Sequence, residues 1–135
     1  MRILLFFVVA TCLMACQKDP GEGGLASIKG KVLKEYRLVL ANPATVQNTV
    51  PAADAEVYIV YGDHISPDDR IWTNPNGEFE FQFLRKGKYT IYVYSKDINS
   101  SNAIDPDRMA VSKEITIDGR KESVDAGTFT IYDNP

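Results

Sequence analysis

Apolar and polar residues alternate with a period of two along most of this chain. The clearest example is the run from Glu78 to Phe83, in which every second residue is a phenylalanine. Because successive side chains of a β-strand point to opposite faces of a sheet, this run predicts a strand with one buried face. The same spacing recurs at Ile28 and Val32, at Val57 and Ile59, at Tyr89, Ile91 and Val93, at Val111, Ile115 and Ile117, and at Phe129 and Ile131. No segment after residue 25 has a helical period, so the sequence predicts an all-β fold.

Turn-forming sequences separate these runs. They are Asn74-Pro75-Asn76-Gly77, Arg85-Lys86-Gly87-Lys88 and Asp118-Gly119. The short link at residues 84–88 predicts that residues 78–95 form one antiparallel hairpin. About seven strands between residues 25 and 132 fit an antiparallel Greek-key β-sandwich, because a single open sheet would leave one apolar face in water. We therefore expect one β-sandwich domain over residues 25–135.

The first sixteen residues have a different character. Arg2 precedes an apolar run from Ile3 to Ala15, and Leu13-Met14-Ala15-Cys16 resembles the lipobox of bacterial lipoproteins. The run is shorter than the ~20 residues of a membrane-spanning helix and has the length of a signal-peptide core. We expect residues 1–15 to be a lipoprotein signal peptide and Cys16 to carry acyl chains such as palmitate. A plain secretory signal cleaved after Ala15 is the alternative.

An acylated Cys16 would anchor the protein to membrane lipid by its first mature residue. Residues 16–24 comprise this cysteine and a polar stretch rich in glycine, which predicts a flexible tether. The charged pair Lys18-Asp19 resembles the export signals of surface lipoproteins of the Bacteroidota. The expected location is the outer membrane, with the domain lipid-anchored at the cell surface or, as the second interpretation, facing the periplasm.

The two cysteines predict a domain without a disulfide. Cleavage would remove Cys12 and acylation would use Cys16, so the folded domain would contain no disulfide.

The charge of the chain limits its possible partners. The chain has 15 basic and 18 acidic side chains, a formal net charge of −3. Its basic residues form no cluster longer than Arg85-Lys86 or Arg120-Lys121, whereas nucleic-acid binding requires a basic patch that meets phosphates. Nucleic acid is therefore not expected as a partner.

The order of several short motifs carries a family resemblance. Residues 73–81, Leu84 and residues 87–93 resemble the central signature of carboxypeptidase regulatory-like domains, which are transthyretin-like (prealbumin-like) sandwiches. Residues 28–32, 55–59 and 125–131 resemble the first, second and closing strands of that family. The resemblance implies an accessory, adhesive or structural module, with Gly77 in a turn and Phe79 and Phe81 in the core.

The sequence lacks the residues that enzymes related to this fold require. His64 is the only histidine, so neither a two-histidine iron site nor a zinc peptidase site can be assembled. No Gly-x-Ser-x-Gly motif accompanies it, so a hydrolytic triad is not supported. Acidic loops around Asp68 and Asp105 do not follow the spacing of a calcium loop. We expect no catalytic residues, no metal and no cofactor.

Three tyrosines provide a hint of binding. Tyr58, Tyr92 and Tyr94 have the phase opposite to the core residues of their strands, so neighbouring strands would gather them on one exposed face. Such a face could stack on sugars or contact a protein, although tyrosine also commonly shields the outside of sheets. The phase of Trp72 is not fixed by its short segment. Long links at residues 41–54 and 96–109 are further candidate recognition loops.

The combined expectation is a non-enzymatic, membrane-anchored lipoprotein. Its β-sandwich would act as a structural or protein-interaction module of the cell envelope. The alternative is a surface lipoprotein that binds a glycan or peptide through the loops or the tyrosine face.

Overall fold

The computed structural model describes residues 18–37, 46–97 and 107–133. The predicted signal peptide, Cys16 and part of each long link lie outside these residues. The described chain forms eight strands: β1 (Glu22–Arg37), β2 (Val46–Pro51), β3 (Glu56–Tyr61), β4 (Asp69–Trp72), β5 (Glu78–Leu84), β6 (Gly87–Lys96), β7 (Arg108–Ile117) and β8 (Ser123–Asp133). No helix in these three ranges is long and apolar enough to cross a membrane.

Strand β1 is the centre of the first sheet, called sheet I. Strands β5 and β2 pair with successive halves of one edge of β1, and both pairs are antiparallel. Strand β8 lies along the other edge of β1 in parallel orientation, with Val32 opposite Phe129. This parallel pair was not predicted, because a parallel partner can be distant in sequence and leaves no hairpin signal.

Sheet II has the strand order β4-β3-β6-β7, and all of its pairs are antiparallel. Strand β6 therefore pairs with β3 and β7, whereas β5 pairs with β1 in the other sheet. The predicted hairpin at residues 78–95 is wrong for this reason. Alternation determines which face of a strand is buried, but it does not determine the partner, and the link at residues 85–86 crosses between the sheets.

The core lies between the two sheets and consists of the alternating apolar residues. Its largest fully buried side chains are Ile28, Val32, Val57, Ile59, Leu84, Tyr89, Ile91, Val93, Ile117 and Phe129. Phe79 packs against Phe129 with ring centroids 5.9 Å apart and against Phe81 at 6.1 Å. The predicted all-β sandwich is thus confirmed, with eight strands in the described ranges where about seven were expected from spacing.

The alternation of β5 breaks at its end. Phe83 has a φ of 59° and is 66% exposed, while the next residue, Leu84, is fully buried. The positive φ rotates the chain, so Leu84 takes the inward position that strict alternation assigns to Phe83. The register of β1 against β5 shifts at the same place, opposite Ala26.

Strand β1 begins at Glu22, three residues before the predicted domain boundary at residue 25. The glycines that indicated a flexible tether here permit close packing. A side-chain carbon at Gly24 would lie 1.9 Å from the carbonyl oxygen of Leu84. Only glycine therefore allows β1 to approach the end of β5 at this point.

Candidate binding face

The outward positions of sheet II bring the three predicted tyrosines together. Tyr58 on β3 lies directly opposite Tyr92 on β6, and Tyr94 follows two residues later on the same face. The rings of Tyr58 and Tyr92 stack with centroids 5.0 Å apart and planes 9° from parallel. Tyr94 meets them edge-on, at 5.6 Å from Tyr58 and 5.5 Å from Tyr92. Each ring limits the rotation of the others, so the cluster is ordered before any partner arrives.

Trp72 belongs to the same surface. It lies on β4 opposite Glu56, which has the outward phase of Tyr58, and it is 53% exposed. Sequence reasoning could not assign it, because a strand of four residues shows too few alternations to fix a phase. We call Tyr58, Trp72, Tyr92 and Tyr94 the aromatic face.

Charged side chains border the aromatic face. The guanidinium of Arg70 lies 5.2 Å from the centre of the Trp72 ring, and its Nη1 is 3.3 Å from Oε1 of Glu56. The other carboxylate oxygen of Glu56 accepts a hydrogen bond from the Tyr58 hydroxyl. The guanidinium of Arg108 lies 4.7 Å from the centre of the Tyr94 ring. The face therefore combines flat apolar rings with groups that donate and accept hydrogen bonds.

Two tyrosines of this face, Tyr58 and Tyr92, have raised pKa values and are neutral at physiological pH. The hydrogen bond to Glu56 raises the pKa of Tyr58, because losing the proton would place a second negative charge beside the carboxylate. Burial, with Tyr94 and Tyr58 close by, raises the pKa of Tyr92. These phenols consequently remain hydrogen-bond donors.

The hairpin of β3 and β4 holds Trp72 and Arg70 in position. At the turn end, Oδ2 of Asp68 accepts the Tyr61 N–H at 2.7 Å, and Oδ1 lies 2.8 Å from Nδ1 of His64. Partial burial opposes ionisation of Asp68, but these two contacts together lower its pKa. At the other end the buried Thr73 accepts the N–H of Ala55 at 2.9 Å through its hydroxyl oxygen. Both ends of the hairpin are thus fixed.

A groove continues from Trp72 across strands β5, β1 and β8 of sheet I. Its polar lining residues are Lys29, Lys31, Asn74, Glu78, Glu80, Asp125 and Thr128. Trp72 therefore lines the groove as well as the aromatic face. An extended ligand could contact both surfaces at once.

The remaining sequence candidates lie elsewhere. His64 is exposed in the turn between β3 and β4. Within the ranges that the structure describes, no group of three or more histidine, cysteine, aspartate or glutamate side chains is placed to hold a metal ion. Of the two candidate loops, residues 41–45 and 98–106 lie outside the described residues, as does Cys16.

A β-sandwich with an ordered, exposed aromatic face is the class of protein that these observations define. No family model matches the chain, and no curated protein matches it. Among solved structures, the fold is similar to that of a proposed carbohydrate-binding protein from Pseudomonas aeruginosa. That similarity has a TM-score of 0.47 and 14% identity, and it covers 84% of this chain and 91% of the other.

A second similarity is to a 9R-lipoxygenase from Cyanothece, with a TM-score of 0.41 and 18% identity. It covers 78% of this chain but 16% of the lipoxygenase, so the chain corresponds to a small part of that enzyme. Both similarities are distant and concern the architecture.

Proposed function

We propose that this protein is a non-enzymatic lipoprotein of the bacterial cell envelope, anchored in the outer membrane through acylated Cys16, and that its aromatic face binds a partner protein. The observation that carries the binding role is the gathering of four aromatic rings on the outer face of sheet II. Trp72 and Tyr94 are exposed there, and Tyr58 and Tyr92 are half-buried. The motif at residues 13–16 supports the anchor.

The composition of the face favours a protein partner. Tryptophan, tyrosine and arginine are the residues most enriched among those that dominate the energy of protein interfaces. Here Arg70 and Arg108 lie against the rings of Trp72 and Tyr94. The rings are already packed together, so binding would cost little side-chain entropy.

The domain type that we propose is carboxypeptidase regulatory-like. The turn at residues 74–77, part of the motif that carries the resemblance, is tightly built. The side-chain oxygen of Asn74 accepts the N–H groups of Asn76 and Glu78, each at 2.9 Å. Gly77 has a φ of 75°, and a side-chain carbon there would lie 2.4 Å from the carbonyl oxygen of Val32. This turn therefore requires the residues that the motif supplies.

A glycan is the second candidate partner. Glu56 and Arg70 place hydrogen-bonding groups beside the flat ring of Trp72, and the polar groove begins at the same ring. Sugars present an apolar face of C–H groups and a rim of hydroxyls, so a ring flanked by charged groups suits them.

Site-specific photo-crosslinking distinguishes these partners. A photoreactive residue would be placed at Tyr92 in the full-length protein, in cells that produce it. The matched control position is the exposed Thr49, which lies opposite Glu35 in sheet I and does not line the groove. A discrete protein adduct from position 92 and none from position 49 would support a protein partner. Loss of that adduct in the Trp72→Ala variant would assign it to the aromatic face.

The glycan alternative is tested on the same protein with a glycan array. Trp72 is the only tryptophan, so its fluorescence reports directly on ligand binding at this face. Glycan binding that changes this fluorescence and is lost on Tyr92→Ser would favour the second candidate. Neither an adduct nor glycan binding would mean that the rings only shield the sheet.

A further inference from the structure

The chain enters the fold at one end of the sandwich and is fixed there. The side-chain Nε of Arg85 donates a hydrogen bond to the carbonyl oxygen of Asp19 at 2.9 Å. The backbone N–H of Arg85 donates to the carbonyl oxygen of Gly21 at 2.8 Å. The N–H of Gly21 donates to the hydroxyl of the buried Tyr89 at 2.9 Å. Pro20 packs against Gly87, where a side-chain carbon would lie 2.4 Å from the proline ring. Residues 19–21 are therefore part of the fold.

Three turns surround this entry point. The N–H of Gly62 donates to the carbonyl oxygen of Lys88 at 2.9 Å, which places the turn after β3 beside the link between β5 and β6. Gly87 lies opposite Ile117, so the turn at residues 118–122 is at the same end. We call residues 19–21, 62–66, 83–88 and 118–122, together with Leu25, the basal end.

The basal end carries three of the large exposed apolar side chains. Leu25 is 62% exposed, Phe83 is 66% exposed and Ile65 is fully exposed. Leu25 and Phe83 directly precede Ala26 and Leu84, which pair with each other across β1 and β5. Ile65 lies in the turn that begins at Gly62, and Gly62 is close to Pro20. Of the seven large apolar side chains that are exposed in the described ranges, three therefore lie around one chain entry. This grouping indicates a surface that meets an apolar environment.

The length of chain between Cys16 and the fold identifies that environment. Two residues separate Cys16 from Asp19, the first residue held by Arg85, and the three Cα–Cα steps from Cys16 to Asp19 span at most about 11 Å. The polar region of one leaflet is itself about 5 to 8 Å thick. An acyl group in the membrane would therefore bring the basal end against the lipid surface.

We infer that the basal end is a membrane-contact surface, in which Leu25, Ile65 and Phe83 insert into the interfacial region of the phospholipid leaflet that holds Cys16. This inference rests on the proposed acylation of Cys16. The basic residues of this end are Arg85, Lys86, Lys88, Arg120 and Lys121, and they stand among Asp19, Asp63, Asp118 and Glu122. Apolar insertion is thus the source of the contact, and anionic lipid is not required.

The contact would orient the proposed binding face. Strand β6 starts at the basal end with Gly87, and Tyr94 lies seven residues further on. At about 3.3 Å per residue this places Tyr94 roughly 23 Å from the start of the strand. The aromatic face would then stand clear of the lipid headgroups and be open to a partner.

Depth measurements on the acylated full-length protein test the inference. The mature chain would have no cysteine other than Cys16, so a single polarity-sensitive fluorophore can be attached to Ile65→Cys or Phe83→Cys. The matched control is Val46→Cys, a 41% exposed apolar position paired with Arg37 at the far end of β1. Each protein is reconstituted into phosphatidylcholine vesicles with and without lipids that carry a nitroxide quencher on the acyl chain.

Quenching of the labels at positions 65 and 83, with none at position 46, is the expected result. Vesicle flotation of the unlabelled protein measures the lipid anchor independently of the membrane-contact surface. Flotation with equal, unquenched emission at all three positions would overturn the membrane-contact surface and leave the anchor intact. Failure to float would overturn the acylation and the contact surface together.

Discussion

At the scale of single residues, the hydroxyl of Tyr89 joins the entering chain to the sandwich. It accepts the Gly21 N–H at 2.9 Å and donates to the Arg85 carbonyl oxygen at 2.7 Å, although the residue is buried. Tyr89→Phe would leave both partners unpaired and should lower the free energy of unfolding by about 1 to 3 kcal/mol. Urea denaturation of the full-length protein measures this change.

Tyr94→Phe is the control for the Tyr89 substitution. Tyr94 lies on the exposed aromatic face, where water can replace a lost hydrogen bond. Its free energy of unfolding should change by no more than about 0.5 kcal/mol. Equal effects of the two substitutions would mean that the Gly21 contact does not stabilise the fold.

Asp133 makes stability depend on pH. Partial burial opposes its ionisation, but hydrogen bonds and charge attraction from Lys96 at 2.6 Å and Lys34 at 3.4 Å lower its pKa below the ordinary 3.8. A lowered pKa in the folded state stabilises the protein above the unfolded-state pKa, and this contribution disappears as the pH falls through the folded-state pKa. Asp133→Asn should therefore be less stable than the wild type at pH 6.

The difference between wild type and Asp133→Asn should shrink as the pH falls below about 4, the region in which the unfolded carboxyl binds its proton. Urea midpoints measured at several pH values test this. A difference that stays constant down to pH 2 would contradict the role of the two lysines.

At the scale of elements, the close approach of β1 to β5 at Gly24 makes residues 22–24 part of the strand and not part of a flexible tether. Gly24→Ala would place a carbon 1.9 Å from the Leu84 carbonyl oxygen, so β1 and β5 would have to separate. We expect a loss of about 1 to 3 kcal/mol in the free energy of unfolding, as for other overpacked sites. Gly119→Ala is the control, because its nearest contact would be the side chain of Glu122 at 3.1 Å. If Gly24→Ala leaves the free energy of unfolding unchanged, residues 22–24 would behave as the flexible tether that the sequence predicted.

The sequence predicted the strands better than their arrangement. The alternation of apolar and polar residues predicted which side chains of β3, of β5 up to Phe81 and of β6 point into the core. The structure confirms this prediction. The same phase rule correctly placed Tyr58, Tyr92 and Tyr94 on one face. Strand partners were not predictable, because the parallel pairing of β1 with β8 joins segments about a hundred residues apart.

Two local features also escaped prediction, each for a physical reason. The rotation at Phe83 depends on a positive φ, which is uncommon for a phenylalanine and has no sequence signal. The glycines at residues 21–24 have the composition of a linker, yet their contacts with Arg85 and Leu84 hold them in the fold. Composition indicates the conformation that a segment adopts by itself, whereas here long-range contacts determine the conformation of residues 21–24.

At the scale of the whole molecule, the chain entry and the aromatic face lie at successive positions along strand β6. Arg85 holds the chain entry by a hydrogen bond to the carbonyl oxygen of Asp19, and the core fills the space between the sheets. The aromatic face lies further along β3 and β6. A short, fixed connection of this kind would transmit the orientation of the anchor to the face. Lengthening the tether should therefore affect partner binding without affecting stability.

Acylation at Cys16 is the step on which this arrangement depends. The full-length protein and a Cys16→Ala variant would be produced in a bacterium with two membranes and labelled with a palmitate analogue. We expect label in the first protein and none in the second, because the thiol is the acceptor of the acyl chain. Label that persists in the variant, or is missing from both proteins, would contradict the anchor.

Protease treatment of intact cells then distinguishes the two faces of the membrane. Cleavage of the labelled protein on intact cells would mean surface display, where the aromatic face can meet partners outside the cell. Protection on intact cells, with cleavage after the outer membrane is opened, would mean that the domain faces the periplasm. In that case the partner of the aromatic face must be sought among envelope proteins, because the outer membrane would separate it from external glycans.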